Sequence, residues 1–593
     1  MNPTSEYIGR LDRWRSEFSR DQRLSIQLGN WRLIVAIAFA LLAYLAFARA
    51  TFSGWILLAP AAVFIALLVF HDRIARRQQL ATRAIVYYER GLTRLDDKWT
   101  GAGNPGVDFE DAAHIYSSDL DVFGRGSLFE LISVARTAEG ERVLANWLLA
   151  SAPPSEVRQR QTAISELRDD IQLREDIALL GEDTRAGVHA HTLASWGAAP
   201  PIHFPAGLRV IALLLACYNA AAFLAYMGHL ATARPFLGGM VVALLTGAAL
   251  KKRSRQVAAA VETPASDLKI LSLLVARLER ERFDSPRLRA LRSALDIAGL
   301  AASKRISKLT MWMDFLDSAD HLAIRVIGPV LLYREQVSMG VEAWRRDNGP
   351  HVSVWLAAVA EMEALSSLAS IAFERPEWQF PELLESGPVF EAEQLRHPLM
   401  NQRRCVPNDV SLGRGAALYI VSGSNMSGKS TLLRAIGLNT VLAWAGAPVA
   451  AKRLSVSPLA VGASMRIVDS LQDGRSRFYA EITRLRQIVD LTASDRPAMF
   501  LLDELLSGTN SHDRRIGAEA IVRNLVERGA IGLVTTHDLA LTQIGNTIGN
   551  RAINVHFEDH MEDGRISFDY KMLPGIVERS NALELMRAVG LGV

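Results

Sequence analysis

Four stretches of this chain are nearly free of polar residues. Leu33 to Ala48 holds no charge and lies between Arg32 and Arg49, while Gly54 to Phe70 ends at His71-Asp72-Arg73. Val210 to Met227 and Phe236 to Leu250 make a second pair, the latter followed by Lys251-Lys252-Arg253. Each runs to about 15–18 residues, at the short end of what crosses a bilayer. No polar face interrupts these runs and short links pair them, so they predict two membrane hairpins, over 31–73 and 206–252, rather than buried core helices. Pro60 inside the second span is compatible with a membrane helix and suggests a kink.

Between and after the hairpins the pattern changes twice. Residues 1–30 form a polar, arginine-rich segment. A basic helical stretch, 74 to 96, and apolar positions three and four apart from 119 to 183 predict a helical region over 74–205, broken at Gly101–Pro105. Pro153-Pro154-Ser155-Glu156 reads as a helix start with Ser155 as its cap. Long amphipathic helices are predicted over 253–388. From 389 to 593, short β-rich runs alternate with helices, which predicts a parallel α/β sheet. The fold class is therefore an α/β domain joined to an all-α region that membrane hairpins interrupt.

Charge sets the orientation. Arg10, Arg13, Arg15, Arg20, Arg23 and Arg32 precede the first span, Arg73, Arg76 and Arg77 follow the second, and Lys251, Lys252, Arg253 and Arg255 follow the fourth. The links between paired spans carry little charge, so the positive-inside rule predicts an integral protein of the inner membrane with its C-terminal region in the cytoplasm. The N-terminal stretch lacks the pattern of a cleavable leader. A chain of 593 residues implies several domains. Two cysteines, Cys217 and Cys405, exclude a disulfide framework and a zinc site of the usual kind. The net charge of +3 gives no global argument for nucleic acid.

The chemistry is concentrated in the C-terminal region. Ala416 to Val421 predicts a strand, Leu432 to Ile436 a helix, and between them lies Gly423-Ser424-Asn425-Met426-Ser427-Gly428-Lys429-Ser430-Thr431. A glycine-rich turn in that context is a phosphate-binding loop: backbone N–H groups and the helix N-terminus converge on phosphate oxygens. Lys429 is expected on the β- and γ-phosphates, and Ser430 on Mg²⁺. A second strand, Met499 to Leu502, ends in Asp503 and Glu504; Asp503 is expected to hold Mg²⁺ through water and Glu504 to activate the attacking water. A third, Ile531 to Thr536, ends in His537, expected to sense the γ-phosphate. Ser507 to Asp513 reads as a polar loop at which a second subunit meets the nucleotide.

Together these motifs resemble the MutS family of ATPases. Asn425 and Met426 within the loop, Leu395-Arg396-His397-Pro398 and Pro407-Asn408-Asp409-Val410 before it, and Lys571 to Gly575 with Ser580 to Leu583 near the end are similar to the family's motifs. Gly474 to Glu481 looks like the family segment that reaches across a dimer, which implies Ser476, Phe478 and Glu481 at the partner's nucleotide. Asp119 to Leu128 and Gly140 to Leu148 look like the start of the family's helical core. The resemblance implies ATP and Mg²⁺ as cofactors, a homodimer sandwiching two nucleotides, lever helices moved by hydrolysis, and DNA as a partner. The departures are specific. A hairpin stands where mismatch readers carry their base-reading domain, and Tyr87-Tyr88-Glu89 is not expected to replace it. Cys405 stands where the family tends to place an adenine-stacking aromatic. Two other readings are a transport-type ATPase with fused spans and an ATP-regulated membrane scaffold. Absence of a Leu-Ser-Gly-Gly segment opposes the first, and intact Glu504 and His537 oppose the second.

Overall fold

The computed structural model describes residues 2–47, 49, 53–187, 189–205, 207–319, 321–424, 426–465, 477–506, 509–537, 539–562 and 565–577. The chain divides into two compact units, one built from 1–133, 147–175 and 368–593, the other from 134–146 and 176–367.

The apolar stretches form helices, and three of the four helices run well beyond them. α1 (Pro3–Phe47) and α2 (Leu58–Leu95) pack chiefly on each other. Almost none of their most apolar windows is buried in the protein, and Leu33, Ile37, Leu41, Val63 and Ile65 stand exposed. Hydrophobic surface of that extent on two adjoining helices is far beyond what water-facing helices carry. Their other ends are polar but firmly packed. Tyr7 donates to Glu374 at 3.1 Å, and Arg94 meets the same carboxylate through two N–H groups at 2.6 and 2.5 Å, all three residues being buried. Tyr87 and Tyr88 are buried here, Tyr88 donating to Glu175, so the Tyr87-Tyr88-Glu89 run is core packing rather than a base reader.

In the second unit, α3 (Leu208–Met227) and the first part of α4 (Arg234–Glu279) carry the other two apolar stretches. Among the helices that follow in this unit are α5 (Leu322–Leu331) and α6 (Tyr333–Asn348). Leu332 joins them in the left-handed region at φ 51°. A fifth helical stretch, Tyr333–Glu374, is also long and apolar enough to cross a membrane, but most of it is buried in protein. Sequence reading placed a cap at Ser155. The helix there spans Pro154–Asp169 with Pro153 at its N-cap and no side-chain cap, because proline in its first turn already presets the entry.

The C-terminal part of the first unit is mixed α/β. Its strands are β1 (Glu382–Leu383), β2 (Phe390–Leu395), β3 (Asn408–Leu412), β4 (Leu418–Ser422), β5 (Arg453–Val456), β6 (Ala460–Ser464), β7 (Ala498–Leu502), β8 (Ile531–Thr536), β9 (Ala552–Glu562) and β10 (Arg565–Pro574). One sheet has the order β10-β9-β4-β8-β7-β6, parallel from β6 to β9 with β10 antiparallel at the edge. A smaller sheet has the order β1-β5-β2-β3. β4, β7 and β8 are largely apolar and buried along their whole length, as expected of a sheet covered on both faces. Helices α7 (Lys429–Ala445), α8 (Arg477–Leu491) and α9 (Ser511–Glu527) follow β4, β6 and β7. Asp119 ties an upstream segment to this domain: its carboxylate accepts from Met465 N at 2.7 Å and its carbonyl from Arg434 at 3.1 Å.

Candidate functional site

Register brings the chemistry to one rim. Thr536 lies opposite Ser422, and Val534 opposite Leu502, so β4, β7 and β8 end side by side. The residues that follow these strands are Gly423, Asp503 and His537. In parallel α/β sheets this carboxyl-terminal edge is where ligands bind.

The loop after β4 is shaped by backbone that only glycine adopts easily. Gly423 has φ 148° and Gly428 φ 110°; a Cβ on Gly423 would also sit 2.9 Å from the Phe557 carbonyl oxygen. Met426 is left-handed at φ 69° and its side chain is exposed. Helix α7 starts at Gly428, which supplies no side-chain cap, so its first N–H groups are left for an anion. The hydroxyls of Ser424 and Ser427 are buried and have no hydrogen-bond partner among the described residues. Lys429 is buried and donates to the carbonyls of Gly423 at 2.9 Å and Ser424 at 2.7 Å. Burial pushes its ammonium down to about 8, opposed by the nearby charges of Asp503 and Glu504. Orphaned hydroxyls, an uncapped helix end and a confined cation suit a phosphate chain. Ser430 and Thr431 are half-buried in the first turn of α7. Ser430 and Asp503 are the groups that would hold Mg²⁺ beside it.

Two acids and a histidine face this loop. His537 bridges them, with Nδ1 3.0 Å from the Gly423 carbonyl and Nε2 2.5 Å from Glu504 Oε1. Lys429 Nζ lies 3.4 Å from His537 Nδ1. Glu504 is itself left-handed, φ 48°, strain of the kind that collects at functional sites. Thr535, buried on β8, donates its hydroxyl to Asp503 and accepts from Glu504 N at 3.0 Å. One hydroxyl therefore positions both acids.

Residues 419–592 match the family model "MutS domain V". A region of 226 residues is 34% identical to an "Endonuclease MutS2" of Thermomicrobium roseum, covering 36% of this chain and 28% of that protein. A "DNA mismatch repair protein MutS" of Natronomonas pharaonis is 34% identical over 242 residues, 40% of this chain and 27% of its own length. Another of that name, from Geobacillus thermodenitrificans, is 29% identical over 251 residues, 41% of this chain and 27% of its own. The C-terminal region is a MutS-family ATPase domain. The alignments span under a third of these relatives' own length.

Within the MutS-type domain, Gly423, Ser424, Met426, Ser427, Gly428, Lys429, Ser430 and Thr431 line the loop, and Asp503, Glu504 and His537 stand against it. Asn425 and Ser476, expected at the nucleotide, lie outside the described residues, as does the segment 580–583. Phe478 and Glu481 are turned into their own subunit. Phe478 packs against the core that holds Ile488 and Phe500, and buried Glu481 accepts from Leu506 N at 2.5 Å. Glu481 thus steadies the turn that follows Glu504. The outer face of α8 instead exposes Tyr479 and Ile482. Asn510, in the polar loop assigned to the partner's nucleotide, caps α9 by accepting from Asp513 N at 2.9 Å. Cys405 is buried, its Sγ accepting from His397 N at 3.4 Å, and offers no face to an adenine. Thr535 was missed as a site residue: a threonine in an apolar strand looks like any β-branched filler until the neighbouring strand is in place.

Proposed function

We propose that this chain is a membrane-anchored MutS-type ATPase. It binds ATP with Mg²⁺ through Gly423 to Thr431 and Asp503, and hydrolyses it with Glu504 placing the water and His537 at the γ-phosphate. The observation that carries the chemistry is the convergence of Lys429, Asp503, Glu504 and His537 on one strand rim. Lys429 donates to its own loop's carbonyls, and Glu504 lies against His537. Two copies sandwich two nucleotides, and the helices of 253–388 move as levers when the dimer opens.

The anchor is the pair of hairpins, α1/α2 and α3/α4, whose exposed apolar faces suit lipid hydrocarbon. The basic flanks favour a cytoplasmic ATPase domain. DNA is the partner class suggested by the relatives' names, engaged through phosphates rather than by mismatch reading. The test is ATP hydrolysis by detergent-purified protein. Lys429→Ala and Glu504→Gln are expected to abolish it. Stimulation by duplex DNA that disappears at high salt supports the DNA partner. Indifference to every DNA form removes that partner and leaves the ATPase.

A further inference from the structure

We propose that α5, the ten-residue helix Leu322–Leu331, is a third membrane-embedded element, a short re-entrant helix that faces lipid hydrocarbon beside α3 and α4. This rests on the reading that α3 and α4 cross the membrane. Sequence reading assigned the whole of 253–388 to the cytoplasmic helical region, and ten residues are too few to span a bilayer.

Depth is the first argument. Asn219 on α3 donates to the carbonyl of Val330 at the end of α5, 2.9 Å, and to that of Gly239 on α4, 3.3 Å. Asn219 lies eleven residues beyond Leu208, the start of α3. At 1.5 Å per residue this is about 16 Å along the axis, near the middle of a hydrocarbon layer about 30 Å thick. A helix whose last turn meets Asn219 at that depth is inside the layer with it.

Backbone satisfaction is the second. The final carbonyls of a helix have no partner within it, and Pro329 removes one further donor. In hydrocarbon each unsatisfied group costs several kcal/mol, so a helix can end there only if protein supplies the partners. Asn219 serves Val330, and Gln336 serves the carbonyl of Leu331 at 2.9 Å. A helix end facing water would not need these bonds.

The surface is the third. α5 packs on α3, α4 and α6 along one side, with Leu332 buried against Ala212, Ala243 and Met339. On the other side Val326 is 70% exposed and Ile327 56%, and on α3 Val210, Ile211, Leu213 and Leu214 are exposed as well. The outer face of α5 therefore continues the apolar coat of the hairpin, and the occupant that fits is the same acyl chains. Its charge is Arg325, which is exposed and has a stem long enough to carry the guanidinium toward head groups.

Single cysteines at Val326, Ile327, Leu213 and Val354 in a Cys217→Ala background test this. Each is spin-labelled on the full chain in vesicles of phosphatidylethanolamine and phosphatidylglycerol. Relaxation by dissolved oxygen and by a water-soluble nickel chelate is then compared. Leu213 is the lipid reference and Val354, exposed at 44% on the helix Val352–Glu374, the aqueous one. The proposal expects Val326 and Ile327 to lose nickel relaxation and keep oxygen relaxation, as Leu213 does. Nickel relaxation equal to that at Val354, with Leu213 still in lipid, overturns it. Protection from both reagents means that protein covers the face, and overturns it as well. Nickel access at Leu213 itself refutes the membrane reading beneath the proposal.

Discussion

Both apolar hairpins have similar composition, yet they are held in opposite ways. In α1/α2 the apolar parts lean on each other, and the strong contacts lie at the far ends of the helices, where Tyr7 and Arg94 close on buried Glu374. In α3/α4 the fixing is inside the apolar layer. There Gly239 lies so close to α3 that a Cβ would fall 2.0 Å from Asn219 Oδ1, and a third helix is pinned to the same asparagine. The difference separates a tether from a built-in part. The first hairpin is fixed at its feet, whereas the second is packed along its apolar length.

The comparison is broken most directly at the first hairpin's feet. Arg94→Ala leaves Glu374 buried without its guanidinium, which is expected to cost about 3–5 kcal/mol, read as a lowered unfolding midpoint. A shift below about 1 kcal/mol would mean that the feet do not hold the hairpin. Next, Lys429→Ala is expected to lower ATP hydrolysis by about two orders of magnitude or more while membrane association stays unchanged, because the anchor rests on the apolar helices and not on the phosphate loop. Glycine then separates the hairpins from each other. Gly239→Ala should cost about 1–3 kcal/mol through overpacking against Asn219 and Tyr218. Gly29→Ala on α1, with nothing within 4 Å, should be neutral or stabilise by up to about 1 kcal/mol through helix propensity. Equal responses would erase the distinction.

The smallest expected effect is at the nucleotide loop. Burial pushes the Lys429 ammonium down to about 8, and phosphate favours its charged form. Binding is therefore strongest below pH 8, and above it nucleotide must bring a proton. Affinity should fall by up to about tenfold per pH unit. Calorimetry in buffers of different ionisation enthalpy should register the uptake, and Lys429→Ala should abolish it.

Legibility in the sequence followed the range of the interactions. β4, β7 and β8 and the loop after β4 were readable because a buried parallel strand is a continuous apolar run and the loop motif is local. The four apolar stretches were readable for the same reason. What was not readable depended on distant partners. The α5 helix has a membrane composition but only ten residues, with Arg325 in the middle, and nothing local reveals that Asn219 waits 111 positions upstream. Glu481 was read from its motif as a cross-dimer residue, and nothing local showed that within its own subunit it accepts from Leu506 N. Thr535 acts across a strand pairing that links it to residues 31 and 32 positions away.

The central claim is that the ATPase chemistry and the membrane anchor belong to one working molecule. Flotation of the full chain, reconstituted in phospholipid vesicles, with ATP hydrolysis assayed across the gradient, tests both halves at once. The account predicts that hydrolysis rises with the vesicles and vanishes from the same fraction in Glu504→Gln. Activity that stays with unfloated protein, or that survives Glu504→Gln, would contradict it.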